Sequence, residues 1–237
     1  VIVLVCVRVL VLGVSVIVGG VSGIEGFGGT WINSLNPGLN LRVFLFFAYP
    51  TWMSGDKVWV TEAVEMAGQP DAISGETILG SLAQNKVVDY DTMDMFLGLI
   101  PGSVGETSTV LILLGGLFLI FAKIGSWRIM LSMALGGLAM GLIFNGVIAQ
   151  DWISESSKFY SLMSTEFWQH LIIGGFAFGM VFMATDPVTA YQTNKGKWNY
   201  GFLNGFISIM ISVFNPAYPE EVMLAILLMN VFAPTID

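Results

Sequence analysis

The chain has 237 residues, of which 55% are hydrophobic and 11% are charged, and its mean hydropathy is +0.78. This composition is too apolar for a soluble domain of that size, so it predicts an all-α polytopic membrane protein with one transmembrane domain over residues 1–237. The net charge of −8 argues against nucleic-acid binding, and the single cysteine, Cys6, excludes an internal disulfide or an iron–sulfur cluster held by this chain alone.

Apolar stretches of nearly the length that crosses a bilayer, about 20 residues, recur along the chain. The predicted spans cover residues 1–18, 107–122, 127–149, 169–184, 198–214 and 221–233. Shorter apolar pieces at 43–49 and 95–100 lie beside Pro-Gly pairs, which is typical of broken or re-entrant helices. Because the chain starts at Val1 inside an apolar run, we interpret it as a fragment that lacks upstream helices.

The charges of the loops predict an orientation. The interval 51–94 is strongly acidic, with Lys57 and Lys86 as its only basic residues, and basic and acidic loops alternate after it. Lysine and arginine accumulate on the cytoplasmic side of a membrane. The interval 51–94 is therefore predicted to be an extracytoplasmic loop, and Asp237 is predicted to lie near the cytoplasmic side.

Carboxylates inside or at the edge of apolar segments are candidate functional groups, because burying a charge in a membrane is costly. Glu106, Asp186 and Asp237 are in such positions. At Asp186-Pro187, a carboxylate and carbonyl oxygens freed by the proline could together bind a hard cation such as Na⁺. The alternative is that Asp186 caps the segment that follows it.

Two polar motifs have both a functional and a structural interpretation. The sequence Asp71-Ala72-Ile73-Ser74-Gly75-Glu76-Thr77 could carry an attached cofactor, or it could form a turn in which Ser74 and Thr77 bond to the backbone. Asn33 and Asn36 flank Ser34-Leu35 before Pro37. Their amides could bond to the polar edge of a buried ring, although turn formation explains them more simply.

A series of short motifs in chain order resembles the B subunit of the Na⁺-translocating NADH:quinone oxidoreductases, and less closely the D subunit of the Rnf complex. The motifs lie at 36–37, 44–50, 54–56, 74–77, 94–103, 126–129, 174–180, 183–187, 196–198 and 215–220. The usual flavin-attachment motif of that family reads D-G-x-S-G-A-T, whereas this chain has Ala72 and Glu76 at two of its positions. Glu76 is expected to disfavour an incoming phosphate electrostatically.

The resemblance implies a urea-transporter-like helical fold in a bacterial cell membrane, beside five other subunits. It also implies that NADH reacts on another subunit and that electrons pass through flavins to quinone while Na⁺ is exported. By the same resemblance Thr77, preceded by Ser74 and Gly75, carries FMN as a phosphoester. The alternatives are an Rnf-type electron-transport subunit or a urea- or ammonium-type solute channel without flavin.

Further site residues follow from the same resemblance. Asn33 and Asn36 would lie near a non-covalent riboflavin. Asp186 and Asp237 would lie on the Na⁺ pathway, to which the position of Glu106 in the sequence adds a third candidate.

Overall fold

The computed structural model describes residues 9–26, 28–29, 32–33, 35–50, 58–59, 74–75, 77–85, 90–102, 105–154, 157–215 and 221–236. The described part is predominantly helical, as predicted. Its α-helices are α1 (Val9–Gly20), α2 (Pro37–Ala48), α3 (Ile78–Ala83), α4 (Thr92–Leu97), α5 (Thr109–Phe121), α6 (Trp127–Ala149), α7 (Tyr160–Ser164), α8 (Phe176–Phe178), α9 (Asn194–Phe214) and α10 (Glu221–Ile236).

Short elements of other types connect these helices. π-helical turns occupy Val21–Gly26 and Gly179–Met183, and a 3₁₀ turn occupies Gln169–Leu171. The β structure among the described residues is two antiparallel pairs of two-residue strands. They are β1 (Gly28–Gly29) with β2 (Ile32–Asn33), and β3 (Val58–Trp59) with β4 (Ser74–Gly75).

The predicted spans differ in how well they match single helices. Helix α6 coincides with the predicted span 127–149, and among the described residues it is the one helix long and apolar enough to cross a membrane unaided. Helix α9 begins at Asn194, before the predicted 198, because the Thr193 hydroxyl accepts a hydrogen bond from the Gly196 amide and caps the helix. Residues 1–8 of the first predicted span lie outside the described residues.

The predicted span 169–184 is not one helix. It is divided into a 3₁₀ turn, the three-residue helix α8 and a π-helical turn. Gly174 has φ +74° between the first two pieces, a conformation that ends a right-handed helix. Ile173, Phe176 and Val181 of this segment are buried, but its apolar composition could not show that the backbone changes direction.

Large apolar side chains are exposed along one face of α5 and α6. The exposed residues are Leu111, Leu113, Leu114, Leu117, Phe118 and Phe121 on α5, and Leu131, Leu135, Leu142 and Ile143 on α6. A soluble monomer rarely exposes so continuous an apolar surface. This face is suited to lipid or to a partner helix, in agreement with the composition.

Helices α6 and α9 form the closest helix pair in the fold, because glycines let their backbones approach. A Cβ added at Gly205 would lie 1.9 Å from the Met133 carbonyl oxygen of α6. No side chain fits there without separating the helices. Gly201 and Gly205 of α9 therefore act in packing at this interface.

Gly205→Ala is expected to destabilise the protein, although alanine favours an isolated helix by about 1 kcal/mol over glycine. The overpacked interface should cost about 1–3 kcal/mol of unfolding free energy, measured by denaturation in detergent. Gly146→Ala is the matched control, since nothing lies within 4 Å of a Cβ added there on α6. Equal stability of the two variants would contradict the prediction.

Candidate functional site

Thr77 lies at the N-terminus of α3, directly beside a small cavity. Its side-chain oxygen accepts a hydrogen bond from the Gly80 amide at 3.2 Å, so the residue caps the helix. The cavity has a volume of about 30 Å³ and is lined by Thr77, Ile78, Leu79, Ile100, Pro101, Gly102, Glu106, Thr107, Gly174 and Gly175. The local backbone bond predicted for Thr77 is thus present, and Thr77 also lines the cavity.

Gly174 forms the wall of this cavity opposite α3. A Cβ added there would lie 2.7 Å from Leu79 Cδ1 and 3.2 Å from Glu221 Oε1. The left-handed backbone and the lack of a side chain at Gly174 therefore both help to keep the wall close to α3. Glu221, the first residue of α10, brings a second carboxylate close to the cavity that Glu106 lines.

Glu106 forms an ion pair with Arg42 of α2. The distance from Arg42 Nη1 to Glu106 Oε1 is 3.9 Å, and the two side chains are 14% and 10% exposed. The sequence motifs did not single out Arg42. A usable signal was present, since Arg42 is the one charged residue of α2 and a charge among mostly apolar residues requires a partner.

Asn36 and Asp186 are hydrogen-bonded although they are 150 residues apart. Asn36 Nδ2 donates to Asp186 Oδ2 at 2.8 Å, while Asn36 Oδ1 accepts from the amides of Gly38 and Leu39 and caps α2. The turn interpretation of Asn36 is therefore correct. It is also incomplete, because the same amide contacts a carboxylate selected for a different role.

The Asp186 carboxylate collects three hydrogen bonds. Besides Asn36 it accepts from the Thr189 hydroxyl at 2.9 Å and from the Val188 amide at 3.2 Å. An ionised carboxylate offers about four lone-pair sites. Asp186 therefore caps the following turn, as the alternative held, and retains acceptor capacity for a cation.

Helix α2 connects the two sites. Asn36 caps its start and Arg42 lies six residues further along, which is about 9 Å of helix at 1.5 Å per residue. Thr77 and Glu106 thus line the same cavity, and Asn36 and Asp186 are joined by a hydrogen bond. A displacement of α2 would affect both.

Variants of Asn36 can separate its two roles, which are the cap of α2 and the hydrogen bond to Asp186. Asn36→Ala is expected to lower the unfolding free energy by about 1–3 kcal/mol, because it removes the helix cap and one donor to Asp186. Asn36→Ser keeps a capping oxygen and loses only the donor to Asp186, so it should cost less. Thermal denaturation of both variants measures the difference, and a serine variant as unstable as the alanine variant would contradict this division.

Of the other predicted site residues, three are described by their backbone pairing and Asp237 is not described. In the backbone ladders Ser74 pairs with Trp59, Gly75 with Val58, and Asn33 with Gly28. Asp237 and Glu76 lie outside the described residues.

Comparison with known proteins finds one family and relatives that share the name of one subunit. The model of the NQR2, RnfD, RnfE family matches residues 4–237. The chain is similar to proteins from three bacteria, each named as the B subunit of a Na(+)-translocating NADH-quinone reductase. Identity is 48% to that of Yersinia pestis, over 95% of this chain and 52% of the relative. It is 48% to that of Chromohalobacter salexigens, over 92% and 50%, and 45% to that of Neisseria meningitidis serogroup B, over 95% and 53%.

The chain spans about half the length of the curated relatives it matches. The family model, in contrast, covers nearly all of the chain, including α1 to α10 and both sites. The chain therefore belongs to the NQR2, RnfD, RnfE family.

Proposed function

We propose that the chain is a membrane subunit of a redox-driven sodium pump, which relays electrons from NADH through flavins to quinone and couples them to Na⁺ export. NADH would be oxidised on another subunit. The observation that carries the proposal is the family match over residues 4–237, because relatives named for this activity align along almost the whole chain. The two sites supply side chains that suit the two parts of the activity.

The proposed setting is a bacterial cell membrane, with the chain as one multi-pass domain beside five other subunits. The exposed apolar faces of α5 and α6 support this setting. The segment 169–184, interrupted at Gly174, supports a urea-transporter-like arrangement with broken or re-entrant helices. In this proposal the Thr77 segment faces the periplasm, as its acidic surroundings indicate.

Thr77 would carry FMN through a phosphoester on its hydroxyl, in the segment that contains Ser74 and Gly75. A cavity of about 30 Å³ has room for about one or two water molecules, so it fits part of a phosphate group while an isoalloxazine ring would lie outside it. The Arg42 guanidinium is paired with Glu106, which lines the cavity, so it would supply positive charge near the phosphate. When bound, FMN would supply one-electron and two-electron transfer.

Riboflavin would lie near Asn33 and Asn36. The Asn36 amide uses one of its two N–H groups on Asp186, so the second remains for a ring carbonyl. The capping bonds to Gly38 and Leu39 fix the orientation of this amide.

Na⁺ would bind along a path that includes Asp186 and Asp237, with Glu106 as a third carboxylate. Asp186 combines a free acceptor site with an ordered environment, which suits a hard cation with oxygen ligands. Glu106 is engaged by Arg42, so it would bind a cation only after that pair separates.

The charge of Glu106 gives a prediction for flavin attachment. Glu106→Gln removes a carboxylate beside the incoming phosphate, and a gain on the order of 1 kcal/mol is expected to speed the attachment about fivefold. The measurement is the fraction of modified Thr77 against time, by mass spectrometry. In the double variant Arg42→Gln/Glu106→Gln both charges are absent, so the rate should return toward that of the parent; a rate as fast as in Glu106→Gln would contradict a role for Arg42.

Intact-mass spectrometry and peptide mapping of protein coexpressed with a flavin transferase test the proposal. The expected result is an FMN phosphoester on the peptide that contains Thr77. An unmodified peptide, together with urea or ammonium flux in vesicles, would overturn the flavin proposal and favour a solute channel.

A further inference from the structure

Helix α9 carries a polar stripe inside the helical bundle. Tyr200, Asn204, Ser208 and Ser212 recur at every fourth residue, so they share one face of the helix. Tyr200 is 1% exposed, and Asn204 and Ser208 are 0% exposed. A fully buried polar face requires hydrogen-bond partners, because desolvation is otherwise uncompensated.

The described residues satisfy this stripe only in part. The Tyr200 hydroxyl donates to Asn230 Oδ1 of α10 at 2.8 Å, and the Tyr200 ring packs on Tyr191 with 4.9 Å between ring centroids. No described residue hydrogen-bonds to either polar atom of the Asn204 amide, to Ser208 Oγ or to Asn230 Nδ2. Asn230, like Asn204, is 0% exposed.

Asn204 and Ser208 follow Tyr200 by one and two helical turns on α9. Asn230 of α10 accepts the hydrogen bond of the Tyr200 hydroxyl. The four unpartnered atoms of these residues require a bound molecule. A buried polar group without a partner is destabilising, and native proteins contain few of them. Ordered water commonly satisfies such groups when a site is polar. The bonded Tyr200 and Asn230 show that α9 and α10 face each other here.

The chemistry of the four unpartnered atoms indicates which molecule binds to them. The nitrogens of Asn204 and Asn230 are donors, Asn204 Oδ1 is an acceptor, and Ser208 Oγ is both. A cation would contact only the oxygens and would face two amide groups whose hydrogens repel it. Water both donates and accepts, so it can satisfy all four atoms.

We infer that the interface between α9 and α10 holds an internal water cluster bound by Asn204, Ser208 and Asn230. The cluster begins at the Tyr200 hydroxyl, since Asn204 lies one helical turn from Tyr200 on the same face of α9. It provides polar, hydrated space in the bundle. This site does not depend on flavin attachment.

Radiolytic hydroxyl labelling in ¹⁸O water tests the inference on the full-length protein in its complex. Internal water generates radicals in place, so the Tyr200 ring should be labelled several-fold more than Phe176, which is equally buried in an apolar region. Asn204→Leu should abolish the labelling of Tyr200, and Ser208→Ala should reduce it. Ser132→Ala is the control, because the Ser132 hydroxyl already bonds to the carbonyls of Ile129 and Lys197.

Two results would overturn the inference. Labelling of Tyr200 no stronger than that of Phe176 in the parent protein would show that the interface is dry. Labelling of Tyr200 that disappears on addition of Na⁺ would show that the cation displaces the water and is the species that this interface binds. The parent protein alone gives both results, so the test does not depend on a variant that folds.

Discussion

Replacing Thr77 with asparagine is expected to abolish the proposed covalent attachment of FMN and to leave the fold intact. Asparagine caps helices at least as well as threonine, so its side-chain oxygen can accept the hydrogen bond that the Gly80 amide now gives to Thr77. It has no hydroxyl to form a phosphoester. The expected results are complete loss of flavin mass from this peptide, quinone reduction at background level, and a melting temperature close to that of the parent.

Two control variants isolate the Thr77 hydroxyl. Thr77→Ser keeps both the hydroxyl and the capping oxygen, so it should retain flavin. Thr107→Val removes a threonine hydroxyl from the lining of the same cavity and should also retain it. A flavin phosphoester found in the asparagine variant, attached to another residue, would show that Thr77 is not the acceptor.

Replacing Asp186 with asparagine is expected to raise the Na⁺ concentration that gives half-maximal quinone reduction about tenfold, which corresponds to about 1.4 kcal/mol. The variant keeps the size of the side chain and one oxygen acceptor but removes the negative charge that a cation would contact. Interactions with a charged group contribute about 1.5–3 kcal/mol, so the expected loss lies at the lower end of that range. The measurement is the rate in the full-length complex as a function of Na⁺ at constant ionic strength.

The controls for Asp186 separate its charge from its surroundings. Asp151→Asn removes one carboxylate from an exposed turn with φ +53°, a conformation that asparagine tolerates, and should not change the Na⁺ requirement. Thr189→Val removes one hydrogen bond to Asp186 and should raise the requirement less than Asp186→Asn does. An unchanged requirement in Asp186→Asn would exclude this carboxylate as a Na⁺ ligand.

Local sequence predicted the features that depend on residues close together in the chain. The turn predicted for Asn36 is present as the cap of α2, and the local backbone bond predicted for Thr77 is also present. Composition predicted a helical, apolar protein, and the ordered motifs predicted the family. The interruption at Gly174 escaped prediction because apolar composition does not specify a left-handed φ.

The sequence did not predict which side chains far apart in the chain contact each other. It gave a turn or the edge of a ring as the partner of Asn36 and a helix cap or a cation as that of Asp186, and it placed Thr77 and Glu106 in different roles. Only the packing of α2 against the rest of the bundle joins the first two by a hydrogen bond and brings Arg42 to Glu106.

The sequence by itself thus determined the class of protein, its family and its local caps, because hydropathy, motif order and capping depend on composition or on neighbours in the chain. The tertiary structure decided which polar groups meet, including the buried stripe of Tyr200, Asn204 and Ser208 with Asn230. The physical reason is that a side chain's partner depends on the position and rotation of a second helix. Those are set by side-chain packing and by close backbone approaches such as Gly205 on Met133.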